Sequence, residues 1–118
     1  MNEITVNTWK GPMVVKAGTP LYLYQRTNNC WVNDVRRPYT VVAVSDKEIT
    51  IQEALCIFNG PRYYDTLADD IVPNPNGRIR VLKQSNAKKY KGLWVDKLGE
   101  TYPYIAEFGE YDYYPYLN

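Results

Sequence analysis

Apolar and polar positions alternate with a period of two along much of this chain, the spacing expected of strands with one buried face. In residues 21–26, Leu21, Leu23 and Gln25 alternate with Tyr22, Tyr24 and Arg26. Residues 39–45 are β-branched and aromatic, residues 49–52 repeat that character, and the short polar stretch Ser45-Asp46-Lys47-Glu48 lies between them. Together they make the clearest hairpin in the chain. Upstream, asparagines at 28, 29 and 33 flank Cys30-Trp31-Val32, a loop or distorted strand carrying a tryptophan. Residues 53–58 suit a last strand residue followed by a helical turn, because Ala54, Leu55 and Phe58 fall at helical spacing.

Beyond the break at Asn59-Gly60-Pro61, Arg62-Tyr63-Tyr64-Asp65 opens another extended piece. Pro73-Asn74-Pro75-Asn76-Gly77 is a turn: two prolines fix φ, and Asn-Gly tolerates positive φ. Residues 78–83 alternate again, residues 85–91 form a polar basic loop, and residues 93–95, 102–106 and 111–114 complete a set of short strands jointed at Gly92, Gly99 and Gly109. Short strands at this spacing predict an all-β fold with at most one short helix, a small antiparallel β-barrel of SH3-like or KOW-like layout. The 118 residues suffice for one core, so residues 1–118 are expected to form a single domain.

Composition narrows the chemistry. The sequence has no histidine, two cysteines, and 14 basic against 13 acidic residues, for a formal charge of +1. Without histidine the usual proton shuttle and Ser–His nucleophile pairs are absent, so a non-enzymatic role is expected, with no cofactor and no structural zinc. The near-neutral charge supplies no bulk field for a polyanion. The apolar runs are too short to cross a bilayer, and Met1-Asn2-Glu3 does not begin a secretory signal, which points to a cytoplasmic protein without membrane association. Cys30 and Cys56 can make at most one bridge and are expected as thiols. Asp65, Asp69 and Asp70 are the one acidic cluster; oxygen ligation of Mg²⁺ competes there with turn or cap chemistry, which Thr66 favours.

Two surfaces invite a binding role. Arg78 and Arg80 share a strand face and, with Lys88, Lys89 and Tyr90, or with Tyr63 and Tyr64, would make a stacking and phosphate-binding surface for a single-stranded nucleic acid. The bland alternative is a solvated strand face beside a lysine loop. The second surface is tyrosine-rich. Of twelve tyrosines, six lie at or after Tyr102. Tyr102 and Tyr104 have few charges beside them and are assigned to closing the barrel. Tyr111, Tyr113, Tyr114 and Tyr116 stand among Glu110, Asp112 and Pro115, and tyrosines in acidic company suit a protein partner better than phosphate. A homodimer would use the same features.

Several patches resemble a widespread family of small uncharacterised bacteriophage and prophage proteins. Tyr39-Thr40-Val41-Val42-Ala43-Val44 followed by Ile49-Thr50-Ile51-Gln52, then Tyr63-Tyr64, Pro75-Asn76-Gly77-Arg78, Gly92-Leu93-Trp94-Val95 and Gly109-Glu110-Tyr111-Asp112-Tyr113-Tyr114 carry the likeness, which spans about residues 14–116. Residues 54–70 form a longer insertion than the family's, and Pro115-Tyr116 extends the end. The resemblance implies a phage origin and a β-rich fold, and no reaction. The reading is a phage accessory protein that binds and modulates a host or defence-system protein in the bacterial cytoplasm. Behind it come the nucleic-acid module and a nucleotide-sequestering protein in which tyrosines and Arg62 enclose the ligand. Replacing Tyr113 and Tyr114 by alanine is expected to weaken binding to the captured host protein while leaving the circular dichroism spectrum unchanged; unaltered affinity would remove the tail from the interface.

Overall fold

A strand with one apolar face needs that face covered, and this chain covers it by rolling the strands into a ring. The computed structural model describes residues 2–8, 10–25, 37–61, 68–96 and 103–109, which hold nine strands and one turn of 3₁₀ helix, Lys88–Tyr90. Strands β3 (Pro20–Gln25), β4 (Arg37–Val44), β5 (Glu48–Ile57), β7 (Ile79–Gln84), β8 (Trp94–Asp96) and β9 (Tyr104–Phe108) pair antiparallel in the order β3–β4–β5–β7–β8–β9. The ring shuts where β9 pairs with β3, from Leu21↔Phe108 to Gln25↔Tyr104. The fold is a closed six-stranded antiparallel barrel, the small all-β barrel that the strand spacing implies.

Alternation fills it. Leu21 and Leu23, Tyr39 and Val41, Ile49 and Ile51, Leu82, Trp94, Ala106 and Phe108 belong to one buried cluster and are at most 9% exposed. Burying side chains of this size stabilises by roughly 1.5–3 kcal/mol each. The β4–β5 hairpin forms as expected, with Ser45 at its turn: the Ser45 backbone N–H donates to the Glu48 carbonyl (2.8 Å), and the Ser45 hydroxyl accepts from the Glu48 backbone N–H (3.0 Å).

Three strands are additional to those the sequence pattern indicates. β1 (Glu3–Thr8) and β2 (Gly11–Lys16) form a separate hairpin that supplies Val6 and Val15 to the barrel cluster, with Ile4 and Met13 packed against it. It is anchored to β4 by Gly18 N–H to Val41 O (2.8 Å) and Val41 N–H to Thr19 O (2.9 Å). Gly109 lets it approach closely, since a β-carbon there would fall 2.8 Å from the Met13 methyl. The other addition, β6 (Asp70–Pro73), pairs with the distal half of β5, from Ile57↔Asp70 to Ala54↔Pro73. That pairing extends β5 through residues 53–57, so the helical turn expected there is a strand. Helical spacing of three apolar residues loses to a ladder that satisfies the same peptide groups between two strands. The buried side changes along β5: Ile49 and Ile51 face the barrel, whereas Ala54 and Cys56 pack outside it with Ile71 and Tyr22.

The proline-rich turn joins β6 to β7 as expected. Gly77 N–H donates to Asn74 O (2.9 Å), Asn76 N–H to the Asn74 side chain (3.1 Å), and the Gln52 amide holds the Pro75 and Gly77 carbonyls (3.2 and 3.1 Å). The turn lies so close to β5 that a β-carbon on Gly77 would sit 2.6 Å from the Glu53 carbonyl oxygen. Gly77→Ala is therefore expected to cost about 1–3 kcal/mol in urea unfolding, as overpacking against backbone does; an unchanged midpoint would mean that the turn moves away freely.

Candidate functional site

Strand β7 decides what the barrel's outer wall presents to solvent. Its apolar residues compete for the core in two phases: Ile79 and Val81 on one face, Leu82 on the other. Leu82 takes the interior and is fully buried, so Arg80, on the same face, also points inward, and Ile79 and Val81 are left outside at 58% and 39% exposure. An inward arginine needs partners. Arg80 Nη1 donates to Asp96 Oδ2 of β8 at 2.5 Å, its Nε donates to the Tyr39 hydroxyl at 3.1 Å, and the guanidinium lies 5.1 Å from the Tyr104 ring centroid. Both charged side chains are nearly buried, at 13% and 15% exposure.

Burial pulls the arginine pKa down, but the hydrogen bond to Asp96 and the Tyr39 oxygen outweigh it and leave the pKa above its ordinary value. A raised pKa favours the folded state below it, so Arg80 stays charged and paired throughout the working pH range. Tyr39, Arg80, Asp96 and Tyr104 thus plug one end of the barrel, opposite the end at which Phe108 and Trp94 sit with the β1–β2 hairpin. The expected role of Tyr104 in the barrel wall is met, and Arg80 is committed to the interior rather than to a surface shared with Arg78.

The other candidates are placed as follows. Arg78 is exposed and 3.9 Å from Glu53. Lys88 is exposed on the 3₁₀ turn, whereas Tyr90 is buried in a cluster with Val95 and Ile105, against Tyr24 and Leu93, so its ring offers no stacking face. Lys89 belongs to the same turn, and its side chain lies outside the described atoms. Of the acidic cluster, Asp69 accepts from the Asn59 backbone N–H (2.7 Å) across the β5–β6 connection, and Asp70 from the Ile71 N–H (2.8 Å). Among the described residues no group of three or more His, Cys, Asp or Glu could hold a metal ion. Arg62, Tyr63, Tyr64, Asp65, Cys30 and Tyr102, and the tail with Tyr111, Asp112, Tyr113, Tyr114 and Tyr116, lie outside the described residues.

What the sequence reading misses is the strip that β7 creates. Two sides of the barrel's outer wall are covered by small clusters, one around Tyr90, Val95 and Ile105, the other around Ala54 and Ile71. The wall made by β4, β5 and β7 is different. Ile79 stands opposite Gln52, Val81 opposite Thr50, and Val42, at the β4 bulge, is 44% exposed. Ion pairs close the strip at both ends: Lys83 Nζ lies 3.5 Å from Glu48 Oε2, and Arg78 pairs with Glu53. An apolar centre with a charged, internally neutralised rim has the anatomy of a protein-docking surface. The signal in the sequence was the run Ile79-Arg80-Val81-Leu82, which has apolar residues on both faces.

No family, curated protein or solved structure matches this chain. The strip's chemistry therefore rests on the residues themselves.

Asp96→Ala would leave the Arg80 charge facing the barrel with one fewer anionic partner, and a loss of about 1.5–3 kcal/mol is expected by chemical denaturation. Arg80→Met combined with Asp96→Leu should recover most of it, because a buried ion pair replaced by apolar groups is often neutral. A double variant no better than the single would assign the plug a role other than charge compensation.

Proposed function

We propose that this chain is a non-catalytic binding barrel, a phage accessory protein that docks on a bacterial host or defence-system protein and alters its activity by occupying a surface. The observation that carries the reading is the strip of Ile79, Val81 and Val42, exposed on the outer barrel wall between the two ion pairs. Exposed β-branched side chains on a paired, rigid sheet lose little conformational entropy on contact, and removing them from water supplies the driving force. The acidic, tyrosine-rich tail gives the same reading a second contact surface on sequence grounds.

Nucleic acid is the weaker alternative. Arg80 is already paired inside the barrel, the Tyr90 ring is packed away, and Arg78 and Lys83 each lie beside a carboxylate. Phosphate on this wall would meet a field that is close to neutral.

A photo-crosslinking amino acid placed at position 81 tests the proposal directly. Irradiation in bacterial lysate is expected to give one discrete adduct, absent when the same group is placed at Lys47 on the β4–β5 turn. Excess wild-type protein should compete the adduct away, whereas a chain carrying Ile79→Asp and Val81→Asp should not, although these surface changes should alter stability by only about 0.5 kcal/mol. Equal competition by the double variant would exclude the strip as the docking surface.

A further inference from the structure

The β1–β2 hairpin lies outside the ring and keeps an edge that the barrel strands have lost. Which peptide groups face that edge follows from Pro12. Asn7 pairs with Pro12, which has no N–H, so this is a non-hydrogen-bonded pair of the antiparallel ladder. Alternation from there makes Thr5↔Val14 and Glu3↔Lys16 non-hydrogen-bonded as well. The peptide groups of Glu3, Thr5 and Asn7 therefore point away from β2. Among the described residues β1 pairs with β2 alone, and no hydrogen bond runs from these groups to any other strand. On the far side of the hairpin the situation differs: Pro12 offers no donor, and the Lys16 N–H is taken by the Thr19 hydroxyl at 3.0 Å.

The open edge borders a groove. Ile4, Thr5, Val6 and Asn7 form one side; Gln84 and Lys91 through Trp94 form the other, with Asp46 at one end, enclosing about 320 Å³. A smaller hollow of about 130 Å³ continues along Asn7 and Thr8, past the same Gly92, Leu93 and Trp94, towards Phe108.

Much of the opposite wall's main chain is already used within the wall itself. Gly92 N–H donates to Ser85 O (2.9 Å), Leu93 N–H to Tyr90 O (3.0 Å) and Ser85 N–H to Leu93 O (2.8 Å), and the Gln84 amide holds Gly92 O (3.1 Å). What remains is a slot with hydrogen-bonding groups along one side and Gly92 and the half-buried Leu93 along the other. We propose that it receives an extended segment of another polypeptide, which adds to β1 as a strand and lays side chains over Gly92 and Leu93.

The slot's chemistry defines the occupant. Recognition runs through the main chain, so the segment needs free N–H groups at alternate positions and no proline there. Asp46 and Lys91 leave the groove without net charge, which suits an uncharged segment rich in β-branched residues. The slot shares β7 with the strip through Gln84 but uses none of Ile79, Val81 or Val42, so either surface can stand without the other.

The test uses a fluorescent peptide, acetyl-Thr-Val-Thr-Val-Thr-amide, and a version N-methylated at alternate residues, titrated into the full chain. Saturable binding of the first peptide is expected, with the amide NMR signals of Thr5 and Asn7 shifting and slowing in hydrogen exchange. The methylated peptide should bind at least about fivefold more weakly, the loss of one hydrogen bond. Thr5→Pro, which removes an outward N–H that β2 does not use, should weaken binding similarly, while Thr5→Val retains it. If Thr5→Pro fails to fold, the methylated peptide still decides. Absence of saturable binding, or equal binding of both peptides, overturns the proposal. So does concentration-dependent protection of Thr5 and Asn7 in the protein alone, which would assign the edge to a second copy of the chain.

Discussion

Closure of the ring at β3 and β9 is the constraint on which the rest of the molecule depends. Pairing Leu21 with Phe108 gives every ring strand two neighbours and commits one face of each to a narrow interior. Leucine, isoleucine, valine and aromatic rings fill that space, and once it is full no further side chain can turn inward without a partner. Arg80 can do so because Asp96, Tyr39 and Tyr104 meet it at the barrel's end. The same closure leaves Ile79 and Val81 nowhere to go but outside.

The character of the outer wall follows from how each side of it is covered. Tyrosines Tyr24 and Tyr90 cover the wall near β8 and β9, and Tyr22 covers the start of the β5–β6 ribbon. Their rings supply apolar cover on the outside of the barrel, which makes them amphipathic sheathing rather than ligand platforms. Among the described residues the wall of β4, β5 and β7 has no such sheathing and keeps an apolar centre. The hairpin at the opposite end contributes core side chains through one face and retains an open edge. Among the described residues the barrel interior is filled by side chains, so the grooves and exposed apolar residues lie on its outer surface.

Much of the barrel was legible in the sequence, and particular residues explain where legibility stopped. Leu21 to Tyr24 read correctly because only one of their faces is aliphatic, and residues 39–52 because a four-residue polar turn fixes the hairpin. Residues 78–83 read as a plain alternation with Arg78 and Arg80 on an outward face, although Leu82 shares that face with Arg80 and takes it inward. The deciding partner, Asp96, lies sixteen residues further on and is visible only once β7 and β8 are paired. Strand β1 was hidden by its own composition, since Ile4 and Val6 alternate with polar residues over too short a span to stand out. β6 offers only Ile71 and Val72, which became a strand because β5 continued past the barrel to meet them. The apolar strip could not be read from its residues alone, because isoleucine and valine in a strand usually signal burial.

The β3–β9 seam also sets the order in which the molecule can assemble. The β4–β5 hairpin closes over four residues and can form early, since short loops cost little entropy to close. The seam joins positions near opposite ends of the described chain, and its enthalpy is gained only after most of that chain has been ordered. Until then β3 has an unpaired margin, and Leu21 and Leu23 face an unfinished interior. β9 acts as a latch: a polypeptide still emerging from the ribosome would carry an open, adhesive sheet until Phe108 is available to shut it.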